Sequence, residues 1–71
     1  MTAGLVTYDL QVPAAVITLN RPDKRNALSR ALISALADAF GRAANDAAAR
    51  VVILTGAGPV FCAGMDLSEL S

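Results

Sequence analysis

The chain has 71 residues, 55% of them hydrophobic, with six basic residues balanced by six acidic ones, one cysteine and no histidine. A chain this short buries only about 60% of the surface that its unfolded form exposes, enough for one small core but not for a deep two-layer cleft. Zero net charge leaves no electrostatic footprint for nucleic acid or an anionic membrane, and a lone Cys62 without histidine excludes an internal disulfide and tetrahedral zinc.

No stretch approaches the roughly 18 to 20 continuous apolar residues that a membrane span needs. The first residues, Met1 to Asp9, carry no basic region ahead of an apolar one, so no signal peptide is expected. A single unpaired thiol fits a reducing compartment, and the expected location is cytoplasmic.

Residues 5–11 alternate apolar and polar, with Val6, Tyr8 and Leu10 opposing Leu5, Thr7, Asp9 and Gln11. A second run, Ala14 to Leu19, is richer in apolar and β-branched residues, and Pro13 lies between the two where it damages no ladder. The pair is predicted to be two antiparallel strands. Residues 20–26 are polar and punctuated by Pro22, which makes them a loop.

Behind the loop the period changes. Leu28, Leu32, Ala35, Leu36, Ala39, Phe40 and Ala43 recur at helical spacing, while Arg30, Asp38, Arg42 and Asp46 take other faces. Ser29 is the expected N-cap, its hydroxyl accepting from an amide of the first turn. The helix is predicted over 30–48, roughly 28 Å long. Val51 to Leu54 is a short continuous β-branched run, the pattern of a parallel strand covered on both faces. The glycine-rich loop Thr55 to Pro59 and the stretch Val60 to Met65 follow. Asp66 with Glu69 three residues on forms a capping-box-like pair, which predicts the opening of a second helix. One helix on three strands leaves a bare sheet face and an open edge, so marginal stability is expected of the chain alone.

Chemistry concentrates between Thr55 and Glu69. A glycine-rich loop that leaves a strand and enters a helix exposes backbone N–H groups suited to a phosphate, a carboxylate or a developing oxyanion. The dinucleotide-binding spacing fails, because Phe61 stands where a third glycine would follow Gly56 and Gly58; no Gly-Lys-Ser/Thr follows either. What remains is Ala63-Gly64-Met65-Asp66, with Gly64 free to adopt an unusual backbone angle. The same residues also suit a plain turn and a helix cap. Cys62 has no histidine to activate it and reads as a packed apolar thiol. Arg21, Lys24 and Arg25 form a basic cluster that fits either a phosphate site or a solvated loop.

Leu19-Asn20-Arg21-Pro22, Asn26-Ala27-Leu28-Ser29, Leu54-Thr55-Gly56-Ala57-Gly58 and Phe61-Cys62-Ala63-Gly64-Met65-Asp66-Leu67 together resemble the enoyl-CoA hydratase/isomerase (crotonase) superfamily. The resemblance covers nearly the whole chain, with its blocks in order and at the family's separation. It implies an α/β chain with an incomplete crotonase-like (ClpP/crotonase) fold, β-β-α-β followed by the start of a second helix, residues 1–71 being the N-terminal part of the domain. It further implies an acyl-CoA thioester as substrate, and an enolate-like oxyanion held by two backbone N–H groups. Met65, after Gly64, matches the first of these donors. Arg25, and Lys24 beside it, match the position that contacts CoA phosphates. Ala27, Leu28, Ala63, Asp66, Leu67 and Ser68 match the walls of the CoA and pantetheine channel. No cofactor is implied, since CoA belongs to the substrate, and the complete enzyme is expected to form a trimer or hexamer.

The reaction expected of the complete enzyme is hydration of a 2-enoyl-CoA. The family places its second oxyanion donor and the hydratases' two glutamates beyond the 71 residues. The alternative is therefore a non-catalytic module that binds CoA weakly or associates with full-length crotonase-type subunits. Seen from fold alone, a small α/β domain with a purely structural glycine loop is a third reading.

Overall fold

The computed structural model of the chain describes residues 4–69. Strand β1 (Val6–Gln11) pairs antiparallel with β2 (Ala14–Leu19), in a register running from Val6 opposite Leu19 to Gln11 opposite Ala14. Strand β3 (Val51–Gly56) runs parallel to β2, Ala14 facing Val51 and Leu19 facing Gly56, so the sheet order is β1-β2-β3. The predicted strands and their mixed pairing are present. β1 starts one residue later than expected, although the Asn20 amide still donates to the Leu5 carbonyl at 2.8 Å in register with the ladder. β3 extends two residues beyond Leu54, continuing its ladder with β2 through Thr55 and Gly56.

Helix α1 (Arg30–Ala44) begins as expected, with Ser29 Oγ accepting from the Leu32 amide at 3.1 Å. It ends four residues short of the predicted boundary. The Asn45 side chain donates to the Gly41 carbonyl at 3.0 Å, and Asp46 Oδ1 accepts from the Ala48 amide at 3.0 Å. Short polar side chains thus take over the backbone partners that another helical turn would use, and the alanines beyond follow a turn.

The core is small and sits between α1 and the first two strands. Every second residue of β2 is buried: Ala15, Ile17 and Leu19. Ala15 and Ile17 meet Ala39 and Ala43 of α1, with Val6, Tyr8, Leu36 and Ala49 packed around them. Leu32 is fully buried at the other end of the helix, whereas Phe40, one position round from Ala39, is 41% exposed. The Arg42 guanidinium lies 4.1 Å from the centre of the Tyr8 ring, pinning the far end of α1 over β1.

The expectation that β3 is covered on both faces is not met. Val51 and Ile53 on one face are 52% and 48% exposed, and Val52 and Leu54 on the other are 42% and 37%. Geometry explains this: a helix about 10 Å across spans roughly two strands spaced near 4.8 Å, and α1 packs on β1 and β2. The expected second helix is, among the described residues, a single 3-10 turn (Leu67–Glu69), and its continuation through 70–71 lies outside them.

Replacing the cap, Ser29→Ala, should lower the urea-unfolding free energy by about 1 kcal/mol without shifting the helix boundaries seen by NMR.

Candidate functional site

Two irregular segments, 21–30 and 57–69, lie side by side beyond the carboxyl ends of β2 and β3. The first leaves β2 through a 3-10 turn (Pro22–Lys24), with proline at its start, where a missing N–H costs nothing. Arg25 and Asn26 then both adopt left-handed backbone, each with φ 56°. Asparagine tolerates this conformation better than most residues, and here it turns its side chain inward.

Asn26 is fully buried, and its amide group joins the two segments. Its Oδ1 accepts from the Arg21 amide at 2.8 Å, while Nδ2 donates to the Ala57 and Val60 carbonyls at 2.9 and 2.8 Å. Gly56 owes its identity to the same side chain. A Cβ there would lie 2.8 Å from Asn26 Nδ2 and would collide with the Phe61 carbonyl.

Three backbone hydrogen bonds then run between the segments. Ala63 N donates to Arg25 O at 3.0 Å, Leu28 N to Gly64 O at 2.7 Å, and Asp66 N to Leu28 O at 3.1 Å. The last two form a parallel bridge between Leu28 and Met65. In such a bridge the residue whose neighbours are bonded directs its own N–H and C=O to the opposite side. The Met65 amide therefore points away from Leu28, and it donates to no group among the described residues. Gly64 before it has φ 92°, with open space where a Cβ would be, so backbone angle rather than crowding requires glycine there.

Side chains add two further ties. The Arg21 guanidinium donates through Nη1 to Asp66 Oδ2 at 2.9 Å and to the Ala27 carbonyl at 3.0 Å. Glu69 Oε1 accepts from the Arg30 amide at 2.8 Å, at the first turn of α1. The predicted capping box is thus only half formed. Asp66 Oδ1 accepts from the Ser68 amide at 3.0 Å and hydroxyl at 2.6 Å, but Glu69 caps the other helix instead of returning to Asp66. A three-residue turn leaves the Glu69 carboxylate free to reach the unpaired amides of a full-length helix. The Ser68 hydroxyl first, and the Arg21 guanidinium next, hold the Asp66 carboxyl down at about 2.

Of the residues singled out from sequence, Arg25, Ala27 and Leu28 are brought against Ala63, Gly64, Met65 and Asp66. The Lys24 and Arg25 side chains are exposed, and the hydrogen bonds of Lys24 stay within its own turn. Ser68 touches the site through Asp66, while Leu67 is 76% exposed. Together with Phe61 and Met65, 54% and 53% exposed, Leu67 gives the open surface an apolar character. Cys62 is half-buried, its sulfur accepting from the Gly64 amide at 3.4 Å. Arg21 leaves the basic cluster and belongs to an ion pair. The buried role of Asn26 and the reach of Glu69 were not readable from sequence, since each depends on partners more than thirty positions away.

Asn26→Ala should cost about 2–3 kcal/mol by urea unfolding, because it strands buried backbone groups on two segments. The Asp66 carboxyl, at about 2 in the folded chain against an ordinary 3.8, contributes stability that is fully present above pH 4 and lost as pH falls through 2. Hydrogen exchange at the Asp66 amide should accordingly stay protected at pH 4, and Asp66→Asn should remove the acid-dependent part of the unfolding curve.

The enoyl-CoA hydratase/isomerase family model matches residues 11–71. A probable enoyl-CoA hydratase of Mycobacterium tuberculosis is 48% identical over 66 residues, 93% of this chain and 25% of that protein. A hydroxycinnamoyl-CoA hydratase-lyase of Pseudomonas fluorescens is 44% identical over 64 residues, 90% of this chain and 23% of its own length. The crystal structure of an enoyl-CoA hydratase from Mycobacterium smegmatis superposes with a TM-score of 0.89 at 49% identity, covering 97% of this chain and 32% of that one. The chain thus spans about a fifth to a third of the relatives it matches, and its sheet and helix correspond to the N-terminal part of the crotonase fold. The chain belongs to the enoyl-CoA hydratase/isomerase family.

Proposed function

We propose that residues 21–30 and 57–69 form part of an acyl-CoA site in which the Met65 backbone N–H stabilises the oxyanion of an enolised thioester. The observation that carries this reading is the Leu28–Met65 bridge, which engages the Gly64 carbonyl and the Asp66 amide and leaves the Met65 N–H directed outward. A fixed amide aimed at developing charge contributes roughly 2.7–4 kcal/mol to a transition state, because no reorganisation is needed as the charge forms. The exposed Lys24 and Arg25 side chains suit the CoA phosphates. Ala27, Leu28, Ala63, Asp66, Leu67 and Ser68 suit the walls of a channel for the pantetheine arm. CoA enters as part of the substrate, and the reading calls for no separate cofactor.

For the complete protein the reaction proposed is hydration of a 2-enoyl-CoA, in a cytoplasmic homotrimer or hexamer. Hydration needs a base for the water and an acid for the α-carbon. Neither carboxylate near Met65 is available for that work: Asp66 is held by Ser68 and Arg21, and Glu69, the one glutamate of the sequence, caps α1. The acid–base pair is therefore assigned to residues outside these 71. A non-catalytic module that binds CoA weakly, or joins full-length subunits, is the second reading, and the uncovered strand β3 favours it.

Titration of the ¹⁵N-labelled chain with acetoacetyl-CoA, an acyl-CoA that enolises readily, tests the donor. The Met65 amide resonance should move downfield with acetoacetyl-CoA and not with CoA alone, and an unmoved resonance would sink the assignment. The 71-residue chain by itself should not hydrate crotonyl-CoA; turnover that disappears in Met65→Pro would show that it carries its own acid and base.

A further inference from the structure

We propose that Arg21 and Asp66 are positioning residues whose ion pair fixes the direction of the Met65 amide. The inference rests on Met65 as the oxyanion donor and names what holds that donor still.

The need for a clamp follows from Gly64. The Met65 N–H lies in the peptide plane that joins Gly64 to Met65, so its direction is set by the torsions on either side. Gly64, at φ 92° with no atom within 4 Å of a would-be Cβ, offers no steric resistance to rotation of that plane. The loosest joint of the segment therefore sits immediately before the group that must be aimed. On the near side the plane is held by one neutral hydrogen bond, Leu28 N to Gly64 O at 2.7 Å.

The far side is held much more firmly. Asp66 donates its amide to Leu28 O, and both of its carboxylate oxygens are engaged, Oδ2 by Arg21 and Oδ1 by the Ser68 amide and hydroxyl. Arg21 is anchored in turn. Its Nη1 also donates to the Ala27 carbonyl, one residue before the bridge, and its backbone amide donates to buried Asn26. The Arg21 and Asp66 side chains are only 19% and 13% exposed, which shields the pair from water. One guanidinium nitrogen thus ties the residue after Met65 to the residue before Leu28, across the bridge that orients the amide. A charge-assisted bond here is about twice as strong as the neutral bonds beside it.

Residual dipolar couplings of backbone amides, in the 71-residue chain and its variants, read N–H direction without any ligand. In Asp66→Asn and Arg21→Gln the Met65 coupling should lose at least half its magnitude, while couplings across Arg30–Ala44 stay unchanged. Arg21→Lys, which keeps the charge, should recover part of the Met65 value. Affinity for acetoacetyl-CoA should fall about tenfold in the two disrupting variants, and in Arg21→Gln affinity for CoA alone should stay unchanged. A Met65 coupling that is unaffected in both variants overturns the proposal, as does one lost only together with the helix couplings, since the pair would then support the whole fold. If the Met65 coupling collapses but the parent chain's Met65 resonance ignores acetoacetyl-CoA, the clamp stands and the oxyanion reading alone falls.

Discussion

The buried amide of Asn26 is the constraint on which the site depends. One side chain, with no exposed surface, satisfies a backbone N–H at the start of one segment and two carbonyls on the other. Neither segment has a regular ladder of its own, so their separation is held by this group together with three backbone bonds and the Arg21–Asp66 pair. The bridge between Leu28 and Met65 forms in the same frame. Gly56 is a consequence: the strand must end on a residue with no side chain to let the amide through. Among the described residues no buried side-chain nitrogen or oxygen lacks a partner, as a polar network of this kind requires if it is to stabilise the chain.

Stability and site geometry come from different parts of the molecule. The buried apolar residues lie on β2 and α1, with side chains of β1 and Ala49 packed against them. The site end is held by hydrogen bonds and one ion pair, with its larger apolar side chains turned outward. Charge is used to hold backbone in place. Asp66, the acidic residue nearest Met65, is ionised at neutral pH, and its carboxylate is occupied in accepting from Arg21 and Ser68. Its position in the motif is explained by what it grips.

Local rules made much of the fold legible. Period-2 alternation located β1, an apolar and β-branched run located β2, the change to a 3.6-residue period located α1, and a serine before the first turn marked its start. α1 stops short of the boundary predicted from its spacing because the Asn45 and Asp46 side chains compete for the backbone within two to four residues. The apolar run of β3 has the pattern of a doubly covered strand, yet one helix is too narrow to reach it. At the site, resemblance placed Gly64 and Met65 in a motif, but spacing within the chain could not supply their partners. Arg21 read as one basic residue among three until the fold set it against a carboxylate 45 positions away. Glu69 read as half of a local box for the same reason.

The Glu69 contact also bears on the order in which the chain can assemble. Ser29 closes the first turn of α1 as soon as Leu32 exists, a contact three residues long. The Arg30 amide waits for a carboxylate 39 residues later. During synthesis, then, the helix can dock on the β-hairpin with one cap in place, long before the segment carrying Met65 has left the ribosome. That segment arrives later and finds its amide, carbonyl and guanidinium partners already presented by 21–30. The accuracy of the later segment is inherited from a template that the earlier part of the chain has finished building.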